Sequence, residues 1–393
     1  MSKRIFLITE YFDASQNTTG YLFEKLYQSF LKQDDLDVFL IAKQDNNLPE
    51  KPNALYVKHP EANKKKLVSR LYYEFAIGLK FLYKSAKYIK KGDLVFTGTT
   101  PIFLLLIMYV LKKFIDFKWI LLVHDVFPEN LVAAKIISKR NILYKLLKNL
   151  FDRIYASADQ VIVIGKDMQN LVHQKTSKDN ITIVPNWINE NDIFVEKKNN
   201  NTLLTELSWQ NDTDVIFQFF GNIGRVQGLD VLLQAIEKMK EIDNAKFIFI
   251  GNGSYVDTLE RSIKKLNRKN IVYYGELDQS KKSIGLNACD ISIVTLAEGM
   301  LGLGVPSKAY YTMAADKLIF AIMDKDSEVY QMVNENSIGW TVEPYNIQEI
   351  ADRLDLAVTE IKTKKPNSPR KVLIDKYSEK SAMEKVLAII RSV

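Results

Sequence analysis

Residues 296–317 read LAEGMLGLGVPSKAYYTMAADK, and the way this stretch changes character decides the fold. A short apolar run, Ile291 to Val294, precedes it and reads as a buried strand. The chain then turns glycine-rich, and at Pro306 the pattern becomes helical. Proline suits a first helical position because its missing N–H would be unpaired there anyway. A helix that starts at a strand's carboxyl end presents free N–H groups and partial positive charge, so it suits an anion. Lys308 falls in the first turn, where a cation disfavours the helix itself. A lysine in that place points to something negative opposite it. Taken alone, the stretch is equally a plain strand–loop–helix turn.

Working outward, 393 residues are too many for one ordinary core and suit about two domains. The single cysteine, Cys289, excludes an intramolecular disulfide and fits a reducing compartment. With three histidines beside it, a structural zinc site is not expected. MSKRIFLITE lacks the long apolar region of an export signal, and Pro101 to Leu111 is about half of what spans a bilayer. Neither an export signal nor a transmembrane helix is expected. The net charge of +7 is concentrated: Lys58 to Lys91 holds ten basic residues against two acids, or +8.

Strand and helix patterns alternate along the whole chain. Ile5 to Thr9, Val38 to Ala42, Asp93 to Gly98, Trp119 to Val123, Gln160 to Ile164 and Ile181 to Val184 read as strands of a first unit. A polar, Asn-rich stretch from Glu190 to Asn211 follows. Val215 to Phe220, Phe247 to Ile250, Ile271 to Tyr274, Ile291 to Val294 and Leu318 to Ile322 are strands of a second. The expected architecture is α/β: two Rossmann-like domains with parallel sheets. Residues 1–190 form the first, 191–211 the linker, 212–375 the second, and 376–393 a closing helix.

Three features carry chemistry. His124 and Asp125 end a strand in VHDVFPEN, where ligands of open α/β sheets bind. FQFFGNIGRVQGLD places Gly221, Gly224 and Gly228 at a strand-to-helix turn, with Arg225 as a forked cation inside it. Gly251, Gly253 and Gly275 end the next two strands, so with Lys308 this sheet edge reads as a phosphate and nucleotide cradle. The D-x-D triplets at Asp35, Asp212 and Asp324 read as solvated turns, and no required metal is expected. Lys64 to Lys91 reads as an amphipathic helix with Leu67, Leu71, Phe75, Leu79, Leu82 and Ala86 on its apolar stripe. It is either an outer helix packed on the sheet or a surface for anionic lipid. No nucleic-acid module accompanies the charge, so nucleic acid is not an expected partner.

VHDVFPEN, VPNWIN, GNIGRVQGLD, GNG and GVPSKAYYTMAADK together resemble glycosyltransferase family 4, and the likeness is strongest from His124 to Lys317. It is closest to the branch that builds bacterial surface polysaccharides, including N-acetylfucosamine transferases. The resemblance implies the GT-B fold, two domains facing a central cleft, with the closing helix returning to the first. It implies retaining transfer from a nucleotide-sugar, of UDP-N-acetylhexosamine type, with no cofactor required. The acceptor would be a lipid-pyrophosphate-linked saccharide for capsule, O-antigen or exopolysaccharide. The enzyme would be cytoplasmic and peripheral at the inner face of the plasma membrane, docked through Lys64 to Lys91 and the Ile102 to Leu111 region.

By the same resemblance Arg225 and Lys308 flank the donor diphosphate, and His124 faces the sugar. Gly20 matches the first-domain glycine loop. Gly221, Asn222, Gly224 and Gly253 match the second-domain loop, Pro306 and Ser307 the helix start, and the backbone near Glu276 the base site. The sequence departs from the pattern twice. Gln227 stands where many members carry lysine. The E-x7-E register falls on Leu303 and Tyr311, which leaves Glu298 as a substitute for ribose recognition. Two rival readings share the fold or its ligand: a UDP-sugar 2-epimerase, which would want more carboxylates or histidines in the cleft, and a non-catalytic nucleotide-sugar-binding subunit.

Overall fold

Strands buried on both faces read as near-continuous apolar runs, and both sheets follow that rule. A computed structural model describes residues 2–13, 16–45, 50–58, 67–210, 213–363 and 366–393, with side chains from 72 onward in the segment that starts at 67. The first half runs β1 (Lys3–Thr9), α1 (Thr18–Leu31), β2 (Leu36–Lys43), β3 (Ala54–Val57), α2 (Leu67–Tyr88), β4 (Leu94–Thr97), α3 (Ile102–Lys112) and β5 (Lys118–Val123). It continues with α4 (Glu129–Ala133), α5 (Ile142–Ser157), β6 (Gln160–Val163), α6 (Lys166–Thr176) and β7 (Ile181–Ile183). The strands form one parallel sheet in the order β3-β2-β1-β4-β5-β6-β7.

The second half holds α7 (Thr202–Glu206), β8 (Val215–Phe220), α8 (Leu229–Glu237), β9 (Ala245–Ile250), α9 (Val256–Leu266), β10 (Ile271–Gly275) and α10 (Lys282–Leu286). It closes with β11 (Ile291–Thr295), α11 (Lys308–Ala314), β12 (Leu318–Ile322), α12 (Glu328–Asn336), β13 (Gly339–Val342), α13 (Ile347–Glu360), α14 (Pro369–Lys376) and α15 (Glu379–Ser392). Its parallel sheet has the order β10-β9-β8-β11-β12-β13. Strand order reverses beside β1 in one sheet and beside β8 in the other, so a crevice opens beyond each strand end. The two crevices face each other. The Val126 N–H donates to Leu303 O at 3.2 Å, Gly302 N–H to Asp167 Oδ2 at 3.2 Å and Lys166 N–H to Glu328 Oε2 at 2.8 Å. The loop between β11 and α11 is therefore gripped by the first half.

The last helix crosses back. Ser378 pairs with Ile188, Arg391 reaches Asp35 at 3.1 Å, and Glu379 accepts from the Tyr21 hydroxyl at 3.4 Å. Val386 and Ile390 are buried in the same core as Ile5 and Leu26. Within 191–211, Leu203, Leu204 and Trp209 are buried against Ile216, Ile248 and Ile250, because α7 lies over that edge of the second sheet.

Three sequence expectations change. The helix after Pro306 begins at Lys308, with Ser307 as its cap residue and the Pro306 carbonyl accepting from Ala309 N–H. The amphipathic segment turns a different face inward. Tyr73, Ile77 and Phe81 are buried, while Phe75, Leu79 and Ala86 of the expected packing stripe face solvent. Two apolar stripes interleave on this helix, and the 73–77–81 set fits the groove beside α3. Lys64, Lys65 and Lys66 lie outside the described residues. Finally, only part of α3 is open to the outside: Leu104, Leu105, Ile107, Met108 and Leu111 are buried, while Val110 is exposed.

Leu204→Ala is expected to destabilise the protein by about 2–5 kcal/mol, read from urea unfolding. A loss of a few tenths of a kcal/mol, the usual surface value, would mean that 191–211 contributes only length.

Candidate active site

The second-sheet turns stack on one another. The Gly221 N–H donates to Ile250 O at 2.9 Å, Ile223 N–H to Asn252 O at 2.9 Å and Gly251 N–H to Gly275 O at 2.8 Å. Gly251 has φ 137°, and a Cβ there would stand 1.9 Å from Gly221 O. Only glycine allows that approach. These N–H groups are thus taken up by the next turn, and Gly253 N–H bonds Asn252 Oδ1 at 2.7 Å. The glycines shape the sheet edge, and the charge that faces a ligand comes from side chains.

Chief among these is Lys308. Its Nζ donates to Gln227 Oε1 at 2.7 Å and lies 3.7 Å from the centroid of the Phe219 ring. Among the described residues no carboxylate pairs with it, and burial pulls its pKa down to about 7. The Lys308 ammonium thus arrives at the end of the Gln227 side chain, from the helix that faces the glycine turn.

Lys308 opens on a cavity of about 660 Å³ between the domains, shared with His124, Gly221, Asn222, Gln227, Glu276, Pro306 and Ser307. Thr18 at the start of α1 lines it from the first half. Two buried polar atoms here have no hydrogen-bond partner, His124 Nε2 and Asn186 Oδ1. A buried polar group left unmet calls for a partner, and here both face a cavity that can hold one. Burial lowers the His124 pKa to about 4, so the ring is neutral at physiological pH and suited to hydrogen-bonding a hydroxyl. The surrounding protein pushes the Asp125 carboxyl up to about 6. Thr99 Oγ1 accepts from both backbone N–H groups and fixes this pair at the end of β5.

Other expected site residues lie elsewhere. Arg225 is exposed and, with Glu298, lines an adjoining cavity of about 1120 Å³ that shares Val226 and Leu296 with the first. Arg225 and Lys308 therefore face neighbouring parts of the space beside this loop. Gly20 N–H is bonded to Asn17 Oδ1 at 2.9 Å, and a Cβ there would stand 2.2 Å from Asp13 O, so Gly20 serves loop packing. Gly224 packs beside the Asn222 side chain. Tyr311, in the glutamate register, is buried and packs edge-on to Tyr21 with centroids 6.5 Å apart. Asn186 and Lys282 also line the smaller cavity, and sequence reading singled out neither: the first sits in PNWIN, the second in a polar turn that resembles a surface. Asp35 binds Arg391, Asp214 binds Lys246 at 2.6 Å and Asp324 accepts from the Tyr345 hydroxyl. Among the described residues no three metal-type side chains gather.

Two Rossmann-like domains facing each other over a cationic cleft at their strand ends make the GT-B architecture. The family described as Glycosyl transferases group 1 matches residues 206–371, and Glycosyltransferase Family 4 matches 29–192. The Pseudomonas aeruginosa protein named "Probable glycosyltransferase WbjE" is 38% identical over 99% of this chain and 98% of its own. The chain belongs to glycosyltransferase family 4. Among solved structures, Anabaena HepE in complex with UDP and glucose aligns at TM-score 0.72 and 12% identity over 100% of both chains. The lipopolysaccharide outer core galactosyltransferase WaaB aligns at TM-score 0.68 and 12% identity over 99% of each.

Lys308→Ala is expected to cut transferase turnover by about 10²–10³-fold, as loss of one transition-state charge contact does. With its pKa near 7, Lys308 is charged below that pH and loses its proton as pH rises. Affinity for a nucleoside diphosphate should therefore fall above pH 7, and Lys308→Arg, which stays charged, should flatten the profile. Calorimetric titration across pH 6–9 checks this, and an unchanged profile in the arginine variant would remove Lys308 from ligand contact.

Proposed function

We propose that this enzyme transfers a sugar, with retention, from a UDP-sugar of the N-acetylhexosamine type to a lipid-pyrophosphate-linked saccharide of capsule, O-antigen or exopolysaccharide synthesis. The observation that carries the reading is the unneutralised Lys308 ammonium in the same interdomain cavity as the unpartnered His124 ring nitrogen. Charge on one side and a neutral hydrogen-bonding ring on the other suit a diphosphate joined to a sugar. Transfer breaks the bond between the anomeric carbon and the phosphate oxygen, and the electron pair leaves with the diphosphate. Lys308 stabilises that charge as it develops. His124 holds a sugar hydroxyl. The acceptor hydroxyl attacks on the face the diphosphate leaves and passes its proton to the departing phosphate oxygen. No enzymic nucleophile is needed, and closure of the domains keeps water out. The UDP and glucose bound to HepE, and the lipopolysaccharide role in the WaaB description, support this choice of donor and product.

The acceptor's lipid implies a protein that meets the membrane surface. Among the described residues no helix is long and apolar enough to cross a bilayer. α2, α3 and α5 lie side by side on one face of the first sheet. Their outward side carries Tyr72, Phe75, Leu79, Tyr83, Phe114, Ile142, Leu143 and Leu146, all exposed, with Ile142 at 75% and Phe114 at 82%. Lys80, Lys87, Lys139, Arg140 and Lys145 stand exposed among them. Aromatic and aliphatic groups mixed with basic ones suit the interface of an anionic bilayer.

Incubation with a panel of UDP-sugars, with and without a lipid-pyrophosphate acceptor, tests the activity by mass spectrometry. Slow release of UDP, accelerated by the acceptor, is expected. Isomerised donor would instead identify an epimerase, and binding without turnover a recruiting subunit. For the surface, Ile142→Asp with Leu146→Asp should lower co-sedimentation with anionic vesicles at low salt about tenfold or more and leave donor hydrolysis unchanged. Equal sedimentation of variant and wild type would exclude this face.

A further inference from the structure

Lys282, the first residue of α10, also lines the smaller interdomain cavity. Its Nζ lies 3.3 Å from the centroid of the Tyr311 ring. Burial lowers its pKa to about 8, and the acid whose field it feels, Asp192, is already engaged by Lys25 at 3.4 Å and the Tyr21 hydroxyl at 3.0 Å. Asp192 is thus a shared and partial counter-charge, and a partly enclosed cation of this kind is stabilised further by an anionic ligand. The aromatic contact alone does not explain it, because an ammonium on a ring needs no enclosed site.

Position strengthens the point. Tyr311 stands three residues after Lys308 on α11, so the two side chains leave the helix on one face. The Tyr311 hydroxyl is turned to Thr18 of the first half. Lys282 over that ring and Lys308 over Phe219 thus bring two ammonium groups, neither in an ion pair among the described residues, to the lining of a single cavity. Arg225, the cation expected to share the task, opens on the other cavity.

We infer that Lys282 is the second cation of the donor site, contacting the diphosphate of the nucleotide-sugar together with Lys308, in the role the sequence had suggested for Arg225. This rests on the reading of the cleft as a nucleotide-sugar site. It also accounts for a tyrosine at 311: a carboxylate there would pair with Lys282 and cancel the charge.

Calorimetric titration of the full-length protein with UDP, GDP, ADP and dTDP, and with uridine by competition, tests it in wild type, Lys282→Ala and Arg225→Ala. Lys282→Ala should weaken diphosphate binding by about 10–100-fold, the span of a lost charge-assisted contact. Uridine binding should be unchanged, and Arg225→Ala should stay within about threefold of wild type for every ligand. Because the substitution removes an enclosed charge, its melting temperature should equal or exceed that of wild type. A purely structural lysine would instead lower the melting temperature and weaken uridine and UDP alike, and that result overturns the inference. So does wild-type UDP affinity in Lys282→Ala, or a large loss in Arg225→Ala. If wild type binds none of the diphosphates, the nucleotide reading of the cleft fails, and the inference with it.

Discussion

An ammonium group partly withdrawn from water, with no carboxylate paired to it among the described residues, is the constraint around which the cleft is arranged. Lys308 meets it with a neutral amide, Gln227, and the face of Phe219. Both are weak compensations beside an ion pair. The backbone accommodates the arrangement on either side. The glycine turns stack so tightly that β8 can end directly beneath the lysine, and the loop before α11 is tied to the first half through Val126, Gly302 and Asp167. A charge held this way is prepared for an anion before the anion arrives, which is the condition for electrostatic catalysis.

The same economy appears across the domain boundary. His124 and Asn186 come from the first half, Lys308 and Lys282 from the second, and each half alone is an incomplete site. A ligand of both halves needs the two walls together, because neither alone carries the full set of polar groups. The partly exposed Tyr21–Asp192–Lys25–Glu379 group lies where the chain crosses between halves and ties α1 to α15 and to the crossing segment.

Much of this was legible in the sequence. Apolar runs of strand length, separated by helical spacing and ended by glycine, gave the parallel α/β order and the edge where ligands bind. Lys308 was readable because a cation in a first helical turn runs against local preference. What failed was direction. Arg225 belongs to the right loop, but a loop has two sides, and the spacing of G-x-x-G-x-x-x-G does not say which one the side chain takes. Gly20 looked like a ligand glycine and is a packing one. In α2 both candidate stripes are apolar, so periodicity could not choose between Phe75–Leu79 and Tyr73–Ile77–Phe81. Lys282 sits in DQSKKS, whose composition is that of an ordinary exposed turn. β3, α6, α12 and β13 were missed because they are short or polar and are held by neighbours rather than by their own pattern.

The return of α15 to the first half has a consequence for how the chain is made. Val386 and Ile390 follow the whole second half along the chain, yet they fill the core that Ile5 and Leu26 begin. The amino-terminal half therefore keeps an open apolar seam until α15 has been made, and the second half folds beside an unfinished neighbour. Early release or truncation before α15 would strand that seam in water, where half-built α/β units aggregate.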